Sequence, residues 1–153
     1  MVVEPTSVAL KLAPKLAPLG KKAIRVLLGL NDVVRLFAHV ERDVKNSRAI
    51  PSGKHELIWK RFDGQRADPD VLSALNAYLT RGDFAAARAK LQVRLSEVLR
   101  FEDPAIDDGR VVDLVVRSIE DNLSKAPLKD RDAMRLELAL TRIPELGLFS
   151  AVR

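Results

Sequence analysis

Two imidazoles are the first residues to test for chemistry: His39 stands in His-Val-Glu-Arg-Asp and His55 in Lys-His-Glu-Leu. A zinc-protease helix places two histidines four residues apart with a glutamate between them, so that both rings reach one metal. Neither segment supplies the second histidine. At helical spacing His39 instead shares a face with Arg35 and Arg42, and two guanidinium groups would repel a divalent cation. No metal site and no cofactor is expected. Paired carboxylates, which elsewhere do acid–base work, occur at Asp107-Asp108 and at Asp130/Asp132. Both pairs stand where helices are expected to begin, and capping of free backbone N–H groups accounts for them. Cysteine is absent, which removes thiolate catalysis, disulfides and Cys-based zinc sites together. There is no Gly-rich phosphate loop and no Gly-x-Ser-x-Gly elbow. The chain reads as a non-enzyme with no small-molecule substrate.

Charge is the chemistry that remains. Residues 1–62 hold twelve Lys/Arg against five Asp/Glu, and residues 63–153 hold fourteen against sixteen, within a formal net charge of +5. Between Glu4 and Asp32 there is no acid at all. Wound as a helix, residues 19–30 gather Lys21, Lys22, Arg25 and Gly29 within about 100° of arc and leave Leu19, Ala23, Ile24, Leu27, Leu28 and Leu30 on the rest. Such a helix would dock by Ile24, Leu27 and Leu28, with Lys21, Lys22 and Arg25 setting its orientation by charge. A second basic group is expected on the last helix. There Arg131, Arg135 and Arg142 fall within about 40° of one another and flank Leu138, forming an exposed stripe suited to phosphates or an acidic partner. Asp132 and Glu137 lie close enough to dilute its field.

The elements that must carry these side chains are helical. Asn31 or Asp32 can cap a helix to about Val44, with Val33, Leu36, Phe37, Val40 and Val44 at the spacing of a buried face. Pro51-Ser52-Gly53 interrupts the chain, a short apolar segment at Leu57-Ile58-Trp59 and Phe62 follows, and Asp63-Gly64 breaks it again. Asp68-Pro69 is a cap followed by a proline whose missing donor costs nothing at the first helical position, so a helix runs to about Thr80. Gly82 and Asp83 turn the chain into a helix carrying Phe84, Ala87, Leu91, Leu95 and Val98. A further helix spans about 108–124, with Val112, Val115, Val116, Ile119 and Leu123 inside and a solvated ladder of Asp113, Arg117, Asp121 and Lys125 outside. Pro127 closes it, and Asp130 is expected to cap the last helix through about Arg142.

No alternating strand pattern occurs. The expected fold is all-α, a single compact bundle of about five to seven helices without a sheet. The chain divides into a basic amphipathic segment over 1–31, a helical domain over 32–147 and an apolar tail over 148–153. Charges interrupt every apolar run well short of the roughly 20 residues that span a bilayer, and a cytoplasmic location is expected.

Two stretches resemble known families. In residues 74–87 the positions of Leu75, Tyr78, Gly82, Asp83, Phe84 and Ala87 resemble the junction of the two helices in a tetratricopeptide repeat, without a second copy at a period near 34. Val115-Val116-Arg117-Ser118-Ile119-Glu120-Asp121-Asn122-Leu123, followed by Asp130-Arg131-Asp132-Ala133 and a Leu-rich helix, resembles the helical regions ahead of NTPase modules in large bacterial signalling proteins of the NACHT type. That resemblance implies a sensor, effector-docking or oligomerisation role in antiviral defence, with ATP bound on a separate domain. The chain itself carries no Walker motif. The expected function is a non-catalytic protein–protein interaction or regulatory module that binds a protein partner or its own copy. Nucleic-acid binding is the alternative, favoured by a pI near 9.7. Binding to an anionic membrane surface through the N-terminal helix is a further one.

Overall fold

Val33, Leu36, Phe37, Val40 and Val44 recur every three or four residues and all are buried, which is the face that builds α1 (Asp32–Lys45). The structure, a computed structural model, describes residues 32–66, 68–81 and 84–141. Residues 1–31 and 142–153 lie outside the described residues, and so do the basic segment, Arg142 and the apolar tail.

The short apolar segment after Pro51 is a complete helix, α2 (His55–Asp63), which buries Ile58, Trp59 and Phe62. Gly53 turns the chain into it with a φ of +84°, a conformation that L side chains rarely adopt. Gly64 ends α2 with an ordinary φ of −64°, so its role as a breaker does not use glycine's freedom. α3 (Pro69–Arg81) starts as its sequence predicts: Asp68 Oδ2 accepts the Val71 N–H at 3.0 Å. α4 (Phe84–Val98) follows, with Gly82 and Asp83 outside the described residues. Asp107 caps α5 (Asp108–Lys125) by accepting the Arg110 N–H at 3.2 Å. The last helix, α6 (Leu128–Thr141), begins two residues before the expected cap. The Pro127 carbonyl accepts the N–H groups of Asp130 at 3.0 Å and Arg131 at 3.1 Å, so Pro127 marks the start and Asp130 sits inside the first turn. Proline fits this boundary because its missing N–H would have no partner there.

Among the described residues there are six helices and no strand. Five of them close a ring in which α1 packs on α5, α5 on α4, α4 on α3, α3 on α6 and α6 back on α1, while α2 lies against α1. Phe37, Phe62, Leu75, Leu91, Leu95, Ile119, Leu123 and Leu138 fill its interior, each fully buried. Each such side chain contributes roughly 1.5–3 kcal/mol by leaving water. The Phe62 ring lies 5.9 Å from that of Phe37 and 5.7 Å from that of Trp59, which fastens α2 to α1.

Four polar ties fix the helices at their ends. Asp68 takes both Nε and Nη2 of Arg94, the latter at 2.7 Å, and joins the start of α3 to α4. Glu120 on α5 accepts the Tyr78 hydroxyl of α3 at 3.1 Å and the Arg88 guanidinium of α4 at 2.7 and 3.0 Å. Burial, and then the Glu120 charge, push the Tyr78 phenol well above its ordinary pKa, so it stays a donor. Asp43 on α1 accepts the Ser118 hydroxyl at 2.6 Å and the Asn122 amide at 3.3 Å, both from α5. Glu137 on α6 is wholly buried and accepts the Val33 N–H at 3.3 Å, which places a carboxylate at the positive end of α1. Glu137 therefore does not dilute a surface field as its sequence position suggests.

Candidate functional site

α1 and α5 are pinned side by side by the Asp43, Ser118 and Asn122 bonds, and α5 then turns sharply at Ala126-Pro127 into α6. The turn leaves a cleft of about 350 Å³ between one face of α1 and the α5–α6 junction. From α1 it is lined by Asp32, Arg35, Leu36, His39 and Arg42. Asn122, Lys125, Ala126, Pro127, Asp130 and Met134 form the opposite wall. Leu36 and Met134 are buried, while Arg35, His39, Arg42, Lys125 and Pro127 are exposed at its rim.

Its charges are unevenly satisfied. The side chains of His39, Lys125 and Asp130 make no hydrogen bond or ion pair among the described residues. Arg42 reaches Asp43 only at 3.9 Å, and Asp43 is already engaged by Ser118 and Asn122. Arg35 lies 3.7 Å from Asp32, whose side chain is only 12% exposed. Burial raises the Asp32 pKa above its ordinary value, the neighbouring Asp130 charge adds to that, and Arg35 and Lys129 offset part of it. Along α1 the cleft thus has a basic end at His39 and Arg42 and an acidic end where Asp32, paired with Arg35, meets Asp130, with Lys125 on the facing wall. Measured along α1 from Asp32 to Arg42, the ends stand about 15 Å apart at a rise of about 1.5 Å per residue.

Of the residues singled out from sequence, Lys21, Lys22, Ile24, Arg25, Leu27, Leu28 and Arg142 lie outside the described residues. Arg131 and Arg135 are described, and they are half-buried instead of forming an exposed stripe. Arg131 Nη2 donates to the Ser124 carbonyl at 3.2 Å, satisfying one of the last carbonyls of α5. Arg135 is 24% exposed at its side chain and lies 3.7 Å from Asp132. Neither lines the cleft. Along α5 the ladder residues Asp113, Arg117, Asp121 and Lys125 are all exposed, yet they form no ion pairs among the described residues. Lys125 faces the cleft instead.

The Arg35, His39 and Arg42 face is visible in the sequence as a helical spacing of four and three. What the sequence hides is the facing wall, which comes from a junction more than eighty residues away. Elsewhere, a hollow of about 270 Å³ between α3 and α4 is lined by Ser73, Asn76, Ala77, Thr80, Ala86, Ala87 and Lys90. Lys90 Nζ spends its charge there on Ser73 Oγ at 2.6 Å. His55 Nε2 donates to the Ser47 carbonyl at 2.8 Å and steadies the turn before α2. No group of three or more His, Asp or Glu that could hold a metal ion occurs among the described residues. No helix there is long and apolar enough to cross a membrane. In this cleft, side-chain charge without a partner among the described residues stands beside an apolar wall. No family model, curated protein or solved structure gives a significant match to this chain.

Proposed function

We propose that this chain is a non-catalytic helical interaction module that holds a partner protein in the cleft between α1 and the α5–α6 junction. One observation carries the reading: Lys125, His39 and Arg42, without close side-chain partners among the described residues, stand around a concave space that also offers Ala126 and Pro127 as apolar wall. Unsatisfied charge beside apolar surface suits a protein segment, which brings both kinds of group. Nucleic-acid binding is the second reading, favoured by the net charge of +5. Asp32 and Asp130 weigh against it, because a phosphate backbone following the cleft would run over both. The likeness of residues 115–133 to helical regions of NTPase-bearing signalling proteins agrees with a docking role and adds no chemistry to it.

The test is photo-crosslinking in cells from the cleft itself, with p-benzoylphenylalanine in place of His39. The expected product is an adduct to a defined protein that disappears when Arg42→Glu and Lys125→Glu are combined in the same chain. An adduct to RNA or DNA, or a protein adduct indifferent to the charge reversals, would overturn the reading.

A further inference from the structure

We propose that the cleft selects a dipolar segment of its partner, with a carboxylate at the His39 and Arg42 end and a Lys or Arg at the Asp130 end. This rests on the docking role proposed for the cleft and adds the direction and chemistry of what enters it. The placement of charge supports it. Among the described residues, Arg42, whose nearest carboxylate is Asp43 at 3.9 Å, and His39 stand toward the C-terminal end of α1, and the Asp130 carboxylate, without a partner there, stands near Asp32 at the other end. A uniformly acidic segment would satisfy the first group and be repelled by the second. A uniformly basic one would meet the reverse. Burial foremost, and the Asp130 charge after it, raise the Asp32 carboxyl, and an incoming cation offsets the second of these. Arg35, 65% exposed at its side chain, lies 3.7 Å from Asp32, so the open carboxylate for an incoming cation is that of Asp130. The two ends lie about 15 Å apart, which an extended chain rising about 3.3 Å per residue covers in four to five residues. The segment is therefore an acidic residue followed, four or five positions on, by a basic one, in whichever chain direction fits.

The experiment compares blocked synthetic peptides on the full chain, read by amide shifts of α1 and the α5–α6 junction. The first probe is Glu-Glu-Leu-Ala-Ala-Lys together with its reversed sequence, the second replaces its Lys by Glu, and the third is a twelve-nucleotide poly-dT strand. The dipolar peptide, in one direction, is expected to bind about fivefold tighter than the all-acidic one, the scale of one exposed charge pair. Asp130→Lys should invert that preference, and Lys125→Glu should weaken both peptides. Thermal melts of both variants check that the bundle stays intact, and where Asp130→Lys disturbs α6 the milder Asp130→Asn carries the test, since it should bring the preference between the two peptides toward one. Equal or tighter binding of the all-acidic peptide, or a preference unmoved by Asp130→Lys in a folded chain, overturns the dipolar assignment while leaving a docking cleft in place. If the poly-dT strand alone perturbs the cleft, or no probe does, the dipolar assignment falls too. The crosslinking result then decides separately whether the protein-docking role survives.

Discussion

Asp68 accepts the Val71 N–H at 3.0 Å and the Arg94 guanidinium at 2.7 Å, and these bonds, the one from Arg94 foremost, hold its carboxyl below the ordinary value of 3.8. An acid whose folded pKa is lowered adds stability that is present above its unfolded pKa and lost as pH falls through the folded value. Asp68→Asn separates the two bonds, because asparagine still accepts at a helix start but no longer attracts Arg94 as a charge. The variant should melt a few degrees below the parent at pH 7, and the gap should close as pH drops beneath about 3.8. A gap that does not narrow at all as pH falls below that value would mean that the cap geometry, not the ion pair, was lost. Local rules foresaw Asp68 correctly, because an Asp-Pro start needs nothing beyond its own turn. Arg131 could not be foreseen in the same way. Its place on a helical wheel does not reveal that the Ser124 carbonyl, seven residues back, already holds it.

At the scale of elements, α1 is the common wall. It packs on α2, α5 and α6, and one of its faces frames the cleft. Its apolar face was legible in the sequence, because a buried stripe of five residues at helical spacing is a strong periodic signal. α2 was only half legible: it spans 9 residues, too few for periodicity to separate a helix from an apolar segment. The start of α6 was misplaced because an aspartate resembles a cap wherever it stands, and only the backbone shows that Pro127 takes that role. What steadies the N-terminal end of α1 was not legible at all, since the Val33 N–H finds Glu137 across 104 positions of chain. Glu137→Leu should therefore act on α1 more than on α6. It removes a buried acceptor from Val33 and a negative charge from the positive end of the helix, at a cost of about 1–3 kcal/mol. Hydrogen exchange at Val33 should quicken more than at the centre of α6. Uniform loss of protection through both helices would show that Glu137 serves the whole core.

For the whole molecule, closure of the ring decides how the parts depend on one another. Each of its five helices has two packed neighbours, and the fully buried side chains come from all of them and from α2, within residues 32–141. The all-α class could be read from the sequence because apolar residues recur at helical spacing throughout. The ring order could not, since no local signal says that α3 meets α6 before α5 does. Charge suggests two docking elements, the segment over residues 19–30, which lies outside the described residues, and the cleft. Among the described residues the cleft is lined by positions between Asp32 and Met134. Deleting residues 1–31 should leave the helical circular dichroism and a cooperative melt, and it should leave the His39 crosslink to the partner protein in place. If the melt survives and the crosslink vanishes, docking belongs to Ile24, Leu27 and Leu28 with their neighbouring cations Lys21, Lys22 and Arg25, and the cleft is only a space between helices. If the chain unfolds, the segment belongs to the core. The loss would then trace to apolar burial of its leucines, and Leu27→Asp in the full-length chain should lower the melt as steeply as the deletion does.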